Sequence, residues 1–431
     1  MRKRLLQSTY LKRILSFILC LGMMVGYLPQ GVMTGTDLAR ITIEFADAIE
    51  MESTASPILH YFDQRDQEIT AKGAEISYDI QPDGILTEAG GVFTPVKMGS
   101  ATVTVTVTAS GVTKNASTQV AVVGKNLIYN KNAPTVDEGS FEGLLYTSDI
   151  KEGAAFSQRY WLVYSAVNNA ATYSAVASYD ASPENVRHGE QSLKVVCDSE
   201  ANGATQRFKA ELCRNLIAIT PGHLYELTGY VKAQDIKTDS GVSVGTMYAN
   251  KDSKTSAAFA NTSMNRSLYL SKTPYNRPDK YPFEQVIKDD GTWQKFTVPA
   301  SLPTVDTLAY CKLVLMNTNT TANGTYWFDE LRYREVVFNR LDFTTADDIS
   351  ALKAGDTLTT AVKFYSNTGN ELTYSAGSVL PTVIYATTND KVATVDTDGK
   401  ITVVGAGRAE ITAETTIAGV TCKGKITLTV A

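Results

Sequence analysis

The strongest constraint on the fold is a stretch that occurs twice. Gly91-Val92-Phe93-Thr94-Pro95-Val96-Lys97-Met98-Gly99-Ser100-Ala101-Thr102-Val103 aligns without a gap on Gly399-Lys400-Ile401-Thr402-Val403-Val404-Gly405-Ala406-Gly407-Arg408-Ala409-Glu410-Ile411. The alignment continues through Gly111-Val112-Thr113 on Gly419-Val420-Thr421 and through Val120 and Val122 on Leu428 and Val430. Two copies of one unit therefore flank a different central region. Each copy alternates with period two: Ala101 to Thr108 reads apolar, Thr, apolar, Thr, and Ala409-Glu410-Ile411-Thr412-Ala413 does the same. That is the pattern of a half-buried strand, and a helix cannot hide it on one face. Gly99, Gly111, Gly407 and Gly419 punctuate the turns. Short strands and Gly turns predict antiparallel β-sandwiches for both copies.

The central region, 124–335, also reads as strands. The clearest are Gln191–Val196, Leu224–Val231, Trp293–Val298 and Ala309–Leu315. No helical window stands out. So many strands in one unit predict two packed sheets, a jelly roll. The fold class expected for the whole chain is all-β.

Composition narrows the partners. The 431 residues are 43% apolar and 20% charged, enough for a packed core. The first 36 residues carry Arg2, Lys3, Arg4, Lys12 and Arg13 and no acid; without these five the formal charge of −5 becomes about −10. Such a body repels nucleic acid and anionic membrane. The basic start runs into an apolar stretch, Ile14–Val25, too short to span a bilayer comfortably and suited to a secretory signal. Residues 1–36 are therefore expected to export the chain, to a secreted or cell-surface location, with no other membrane insertion. Tyr (22) outnumbers Phe (14), a bias toward surfaces with flat apolar faces and polar rims.

Two resemblances sharpen this reading. Val392-Ala393-Thr394-Val395-Asp396, Gly399-Lys400-Ile401-Thr402 and Gly407–Ala413 resemble the group 2 bacterial immunoglobulin-like domain over 337–431. The first copy, 37–123, resembles it less, because its front half (Ile41–Gly84) departs from the pattern. The resemblance implies spacers or adhesive stalks. In the central region a series of landmarks stands in order: Asn126-Leu127, Gly139-Ser140-Phe141-Glu142-Gly143, His188–Val195, Ile219–Tyr225 running into Leu227–Lys232, Gly291–Phe296 and Gly324–Leu331. This order is similar to the jelly-roll carbohydrate-binding modules of the xylan- and cellulose-binding type, with a long insertion between Phe141 and His188. It implies a polysaccharide or cell-wall glycan as partner, and further domains of a longer enzyme as neighbours.

A jelly roll binds glycan when alternate side chains of a concave sheet offer rings and polar groups to the sugars. Ten rings in the central region are candidates, Tyr164, Tyr179 and Tyr269 among them, although most single rings in such a fold serve packing. Tyr248 and Tyr310 lie in strands that cross the middle of the domain, Tyr160 and Trp161 are placed at one end, and Arg207 supplies a polar contact. Trp293 and Trp327 are assigned to the core. By resemblance, a structural Ca²⁺ is expected where the start of the domain meets its last strand, with Glu142 and Asp329 as carboxylates and Ser140, Gly189 and Ser192 completing an oxygen shell.

Catalysis is not expected. His60, His188 and His223 are the only histidines, and no nucleophile elbow, phosphate loop or HExxH is present. Two other readings stay open: a surface adhesin with protein partners, and a jelly-roll polysaccharide lyase, since Arg207–Glu211 faintly resembles a strand of alginate-type lyases whose companion motifs are missing. Outside the leader the cysteines are Cys197, Cys213, Cys311 and Cys422, with no zinc spacing. Cys197 and Cys213 are read as flanking a hairpin, either facing each other across it as a disulfide or buried as small apolar side chains.

Overall fold

In the computed structural model the described residues are 38–128, 138–141, 145–147, 161–164, 176–197, 209–212, 217–237, 241–250, 266–274, 283–300, 308–316, 323–373 and 381–431. Residues 1–36, expected to be an export signal, lie outside them. The chain is all-β, with no α-helix among the described residues. Their buried side chains gather into three clusters, one for each repeat copy and one for the central region.

Both repeat copies are built on a long hairpin. In the first, Gly99–Ala109 pairs with Val112–Val123; in the second, Gly407–Ile417 pairs with Val420–Val430. Each turn has two left-handed residues, Ser110 (φ 49°) and Gly111 (φ 83°), Ala418 (φ 49°) and Gly419 (φ 77°). Two positive φ values in a two-residue loop match the twist of the flanking strands, and the second position suits glycine. Along Gly99–Ala109 burial alternates strictly, with Val103, Val105 and Val107 at 0% exposure and the threonines outward. A third strand joins each hairpin, Glu75–Gln81 in the first copy and Ile384–Thr387 in the second. The front half of the first copy, despite its divergent sequence, also forms strands, Arg40–Glu44 against Ile58–Phe62.

The central region is a sandwich. One sheet has five strands, in the order Val176–Asp180, Ser192–Cys197, Gly324–Val336, Leu224–Gln234, Trp293–Val298. The other has eight; its middle strands are Lys209–Leu212, Leu308–Met316, Gly241–Asn250 and Arg266–Ser271. Leu193, Val195, Val231, Phe296 and Phe328 from the first meet Val242, Val244, Leu268, Leu270, Leu313 and Leu315 from the second. Gly229 stands where Leu331 and Phe296 close over its strand: a Cβ there would sit 2.5 Å from Leu331 Cδ2.

Two expectations are corrected here. Cys197 and the strand that leads to Cys213 do not form a hairpin. Cys197 ends a strand of the five-stranded sheet, opposite Gly324, whereas Lys209–Leu212 belongs to the other sheet. Cys197 is a free thiol, pushed up to about 12 by burial and therefore inert; Cys213 lies outside the described residues. Trp327 is buried (4% exposed) but not in the core: its neighbours in the strand, Tyr326 and Phe328, belong to the core cluster, and Trp327 faces the other way.

The repeat copies are far apart in sequence and side by side in space. The chain enters the central unit next to where it leaves: Gly124 N–H donates to Glu335 O at 2.8 Å, and a Cβ on Gly124 would meet Glu335 Cβ at 2.8 Å. Both copies therefore sit at one end of the sandwich and touch. The buried Asn367 amide of the second copy donates to Gly99 O (3.0 Å) and Val122 O (2.7 Å) of the first, while its Oδ1 accepts from Val337 N–H at 2.9 Å. Asp47 of the first copy accepts from Lys295 (2.7 Å) and Arg334 (3.0 Å) of the sandwich. Glu226, on the strand beside Arg334, accepts from Thr368 Oγ1 (2.8 Å) and Asn370 Nδ2 (2.7 Å) of the second copy.

Truncating Asn367 strips partners from three backbone groups, at about 1–3 kcal/mol for a buried group left unpaired. Asn367→Ala is expected to destabilise the chain by about 2–4 kcal/mol. Hydrogen exchange should quicken at Val337 and around the 99–101 and 121–123 segments. Unchanged exchange there would show that the two copies do not meet through this side chain.

Candidate functional site

A sandwich has two outer faces, and here they differ. The outer face of the five-stranded sheet is covered at both ends. At one end, Arg334, which also donates to Thr228, meets Asp47 of the first copy, and Glu226 meets Thr368 of the second. At the other, the loop after Val176–Asp180 folds over Trp327. Asp180 Oδ2 accepts the Trp327 indole N–H at 2.8 Å and the Asn185 amide at 2.9 Å. Lys232 Nζ donates to Glu184 O (2.8 Å) and Asn185 Oδ1 (2.7 Å). Lys194 and Lys232 flank the indole, 5.4 and 5.3 Å from its centre. Burial pushes the Asp180 carboxyl up, but the donors from Trp327, Ser182 and Asn185 outweigh it and hold it below the usual carboxylate range.

The eight-stranded sheet is different. Residues opposite one another across a ladder share a face. Cys311, Leu313 and Leu315 are buried in the core, so positions 310, 312, 314 and 316 form the outer row of their strand. Register carries that row across the sheet: Tyr164 stands opposite Lys209, Lys209 opposite Met316, Met316 opposite Ser243, and Ser243 opposite Tyr269. The next outer row is Leu162, Glu211, Val314, Gly245 and Ser267. Tyr310 lies opposite Ala249, about 20 Å along the strand from Met316. Ser243, Tyr269 and Ser271, in the outer rows of that edge, are buried.

This register sorts the sugar-binding expectations. Tyr310 falls in the outer row. Tyr248 stands opposite Cys311, in the core-facing row with Val242, Val244 and Thr246. Trp161 is two positions from Val163, which stands opposite Ala210, itself opposite Leu315 of the core; this sets Trp161 in the core-facing row as well. Tyr160 and Arg207 lie outside the described residues. Tyr164 and Tyr269, equal members of the wider set in the sequence, take outer positions instead. The signal was available: Val242, Val244 and Thr246 set a parity that Tyr248 continues.

The expected cation position has real structure around it. Asp329 is fully buried, and its carboxylate receives three backbone N–H groups: Arg187 (2.8 Å) and His188 (3.0 Å) on Oδ2, and Glu330 (2.8 Å) on Oδ1. Glu330 has a left-handed backbone (φ 50°), and register slips nearby, between Thr228 and Tyr230. That bulge turns Asp329 toward the 187–191 turn. Arg187 seals the turn, stacked 3.6 Å over Tyr230 and paired with Glu330 at 2.7 Å. Ser140 Oγ lies 3.3 Å from His188 Nδ1, and Gln191 Nε2 donates to Phe141 O at 2.6 Å. The start of the domain thus meets its last strand, as expected. Ser192, however, spends its hydroxyl on Asn185 O at 2.7 Å, and Gly189 is an exposed left-handed turn residue (φ 79°). Glu142 lies outside the described residues. A calcium ion takes six to eight oxygens. The described residues bring one carboxylate, already holding three N–H groups, and no cluster of three His, Cys, Asp or Glu is found among them. They do not make a calcium shell by themselves.

The histidines stand apart. His60 bridges Glu68 (2.7 Å) and Glu44 (3.7 Å) in the first copy, His188 lies beside Ser140, and His223 pairs with Glu335 at 2.6 Å.

No protein-family model matches the chain, and no curated protein matches it. Among solved structures, a carbohydrate-binding module described under "CBM4 structure and function" matches at 12% identity, over 41% of this chain and 86% of that one, with a TM-score of 0.26. The CBM22-1 xylan-binding domain of Paenibacillus barcinonensis Xyn10C matches at 16% identity, over 42% and 87%, with a TM-score of 0.21. A cyclase from Fischerella sp. TAU matches at 12% identity, over 46% and 94%, with a TM-score of 0.27. Binding modules and an enzyme alike resemble this chain, so the likeness does not separate binding from catalysis.

Burial raises the Asp329 carboxyl to about 6 against the three N–H groups that oppose the rise. A raised carboxyl keeps its proton longer in the folded state, so its ionisation costs stability as pH climbs from about 4 through 6. The wild type should lose about 2–3 kcal/mol more than Asp329→Asn between pH 4 and 7. Denaturant melts of both proteins at the two pH values check this; parallel pH dependence would contradict it.

Proposed function

We propose that the central sandwich binds an extended polysaccharide along the outer face of its eight-stranded sheet, without catalysis, and that the two repeat copies are immunoglobulin-like supports of an exported protein. One observation carries the reading. The opposite outer face is closed, by the repeat copies at one end and by the Asp180–Asn185 loop at the other. The remaining face has tyrosines in its outer rows at positions 164 and 310, interleaved with Lys209, Glu211 and Lys312. Rings stack on the apolar faces of sugars, and charged or hydroxylic neighbours bond to their hydroxyls. A face about 20 Å long suits a chain of several sugars better than a single one. The negative charge of the mature chain disfavours polyanionic nucleic acid, and the basic-then-apolar start supports export.

Affinity electrophoresis through gels containing xylan, mixed-linkage glucan, galactan or pectin tests the proposal. Retardation by at least one neutral polysaccharide is expected. Tyr310→Ala and Tyr164→Ala should each weaken it about tenfold, near 1.4 kcal/mol per ring. Tyr248→Ala should instead lower the melting temperature, because register sets that position in the core-facing row. Retardation that survives both outer-row substitutions would overturn the assignment of the face.

A further inference from the structure

Where the two repeat copies meet the sandwich they leave a cavity of about 520 Å³. All three parts of the chain line it. Its walls include Thr228 and Thr297 on the outer face of the five-stranded sheet, Asp47 from the first copy, and Asn339, Arg340 and Tyr365 from the second. The volume lies within the range of about 300–1,000 Å³ usual for small-ligand pockets, and a junction of folded units is where such pockets form.

Three features define what it can hold. First, the walls carry polar groups that the protein leaves unused. The Thr297 hydroxyl, the Asn339 amide and the Tyr365 hydroxyl line the cavity with no protein partner among the described residues. Second, charge is balanced. Lys295, Arg334 and Arg340 face Glu44, Asp47 and Glu226. Each cation is already paired, Lys295 and Arg334 with Asp47 and Arg340 with Asp342 at 3.0 Å. An anionic ligand would find no free countercharge. Third, the charged groups are held rigidly. Arg334 is only 3% exposed and is fixed by Asp47 and Thr228. The Arg334 and Lys295 charges overcome the upward push of burial on Asp47 and bring its carboxyl down to about 2. Fixed, neutralised hydrogen-bonding groups around a half-buried tyrosine favour a neutral ligand rich in hydroxyls.

The geometry points to a second binding site at this junction, for a short neutral saccharide of one or two sugar units. It is separate from the sheet face and does not rest on that reading. Because all three parts supply walls, an occupant ties them together and stabilises their arrangement by mass action.

The test uses the full chain, with cellobiose, xylobiose and lactose as probes and digalacturonate as the charged comparator, read by ligand-observed NMR. At least one neutral disaccharide is expected to bind in the millimolar range. Thr297→Trp, which fills the cavity, should weaken that binding at least about tenfold, and Tyr310→Ala should leave it unchanged. Should Thr297→Trp fail to fold, the paired substitution of the half-buried Tyr365 and exposed Asn339 by alanine serves the same purpose. Three results would overturn the site: no saturable binding of any neutral probe, binding indifferent to the cavity substitutions, or a preference for digalacturonate. Loss of binding in Tyr310→Ala alone would move the ligand to the sheet face and also count against the junction.

Discussion

The arrangement of this chain depends on a polar seam built around two neighbouring side chains, Glu226 and Arg334. They stand opposite each other in register on adjacent strands, and each is 3% exposed. Arg334 reaches the first repeat copy through Asp47, and Glu226 reaches the second through Thr368 and Asn370. Burying charge is expensive, and such a seam adds little net stability over an apolar one. What it adds is geometry. Each group accepts few alternatives once dry, because a misplaced neighbour leaves it unpaired. Burial raises the Glu226 carboxyl, while its donors Thr368 and Asn370 and the Arg334 and Lys295 charges work against the rise. An apolar patch backs the seam, where Val123, Leu224 and Ala300 join the cluster of Val336 and Phe338.

That seam also decides which face of the sandwich is available. A five-stranded sheet with lysines and a tryptophan outward would otherwise offer a binding surface of its own. Here the Trp327 indole is claimed by Asp180 and its face is flanked by Lys194 and Lys232. Closing one face leaves the other as the face proposed to bind. The division is set by long-range contacts, and no single strand carries it.

Much of the architecture was legible in the sequence because strands announce themselves with period two. Trp293–Val298 begins and ends where its pattern does, and Leu224 opens its strand as expected. The hairpins of the repeat were legible from Gly111 and Gly419. The site was harder to read. Parity within one strand separates 310 from 311, yet deciding which parity faces the core needs the partner strand, and the partner is far away in sequence. Tyr248 shows this: a ring in the middle of a crossing strand, one position off the outer row. Trp327 fails for the same reason, buried as expected but on the opposite side of its sheet. Cys197 and Cys213 are close in sequence, yet Cys197 ends a strand of one sheet while Lys209–Leu212, just before Cys213, belongs to the other. The seam left no local signal at all, because Asp47, Glu226, Arg334 and Asn367 are each ordinary polar residues in their own segments.

The adjacency of Gly124 and Glu335 has a mechanical consequence. Tension applied to the two ends of the chain would enter the sandwich and leave it within one hydrogen bond's length. The load path runs through the first copy, across the seam and into the second, and the strands of the sandwich hang beside it as a side branch. A module held in this way keeps its shape while its supports are pulled, until the seam itself gives way.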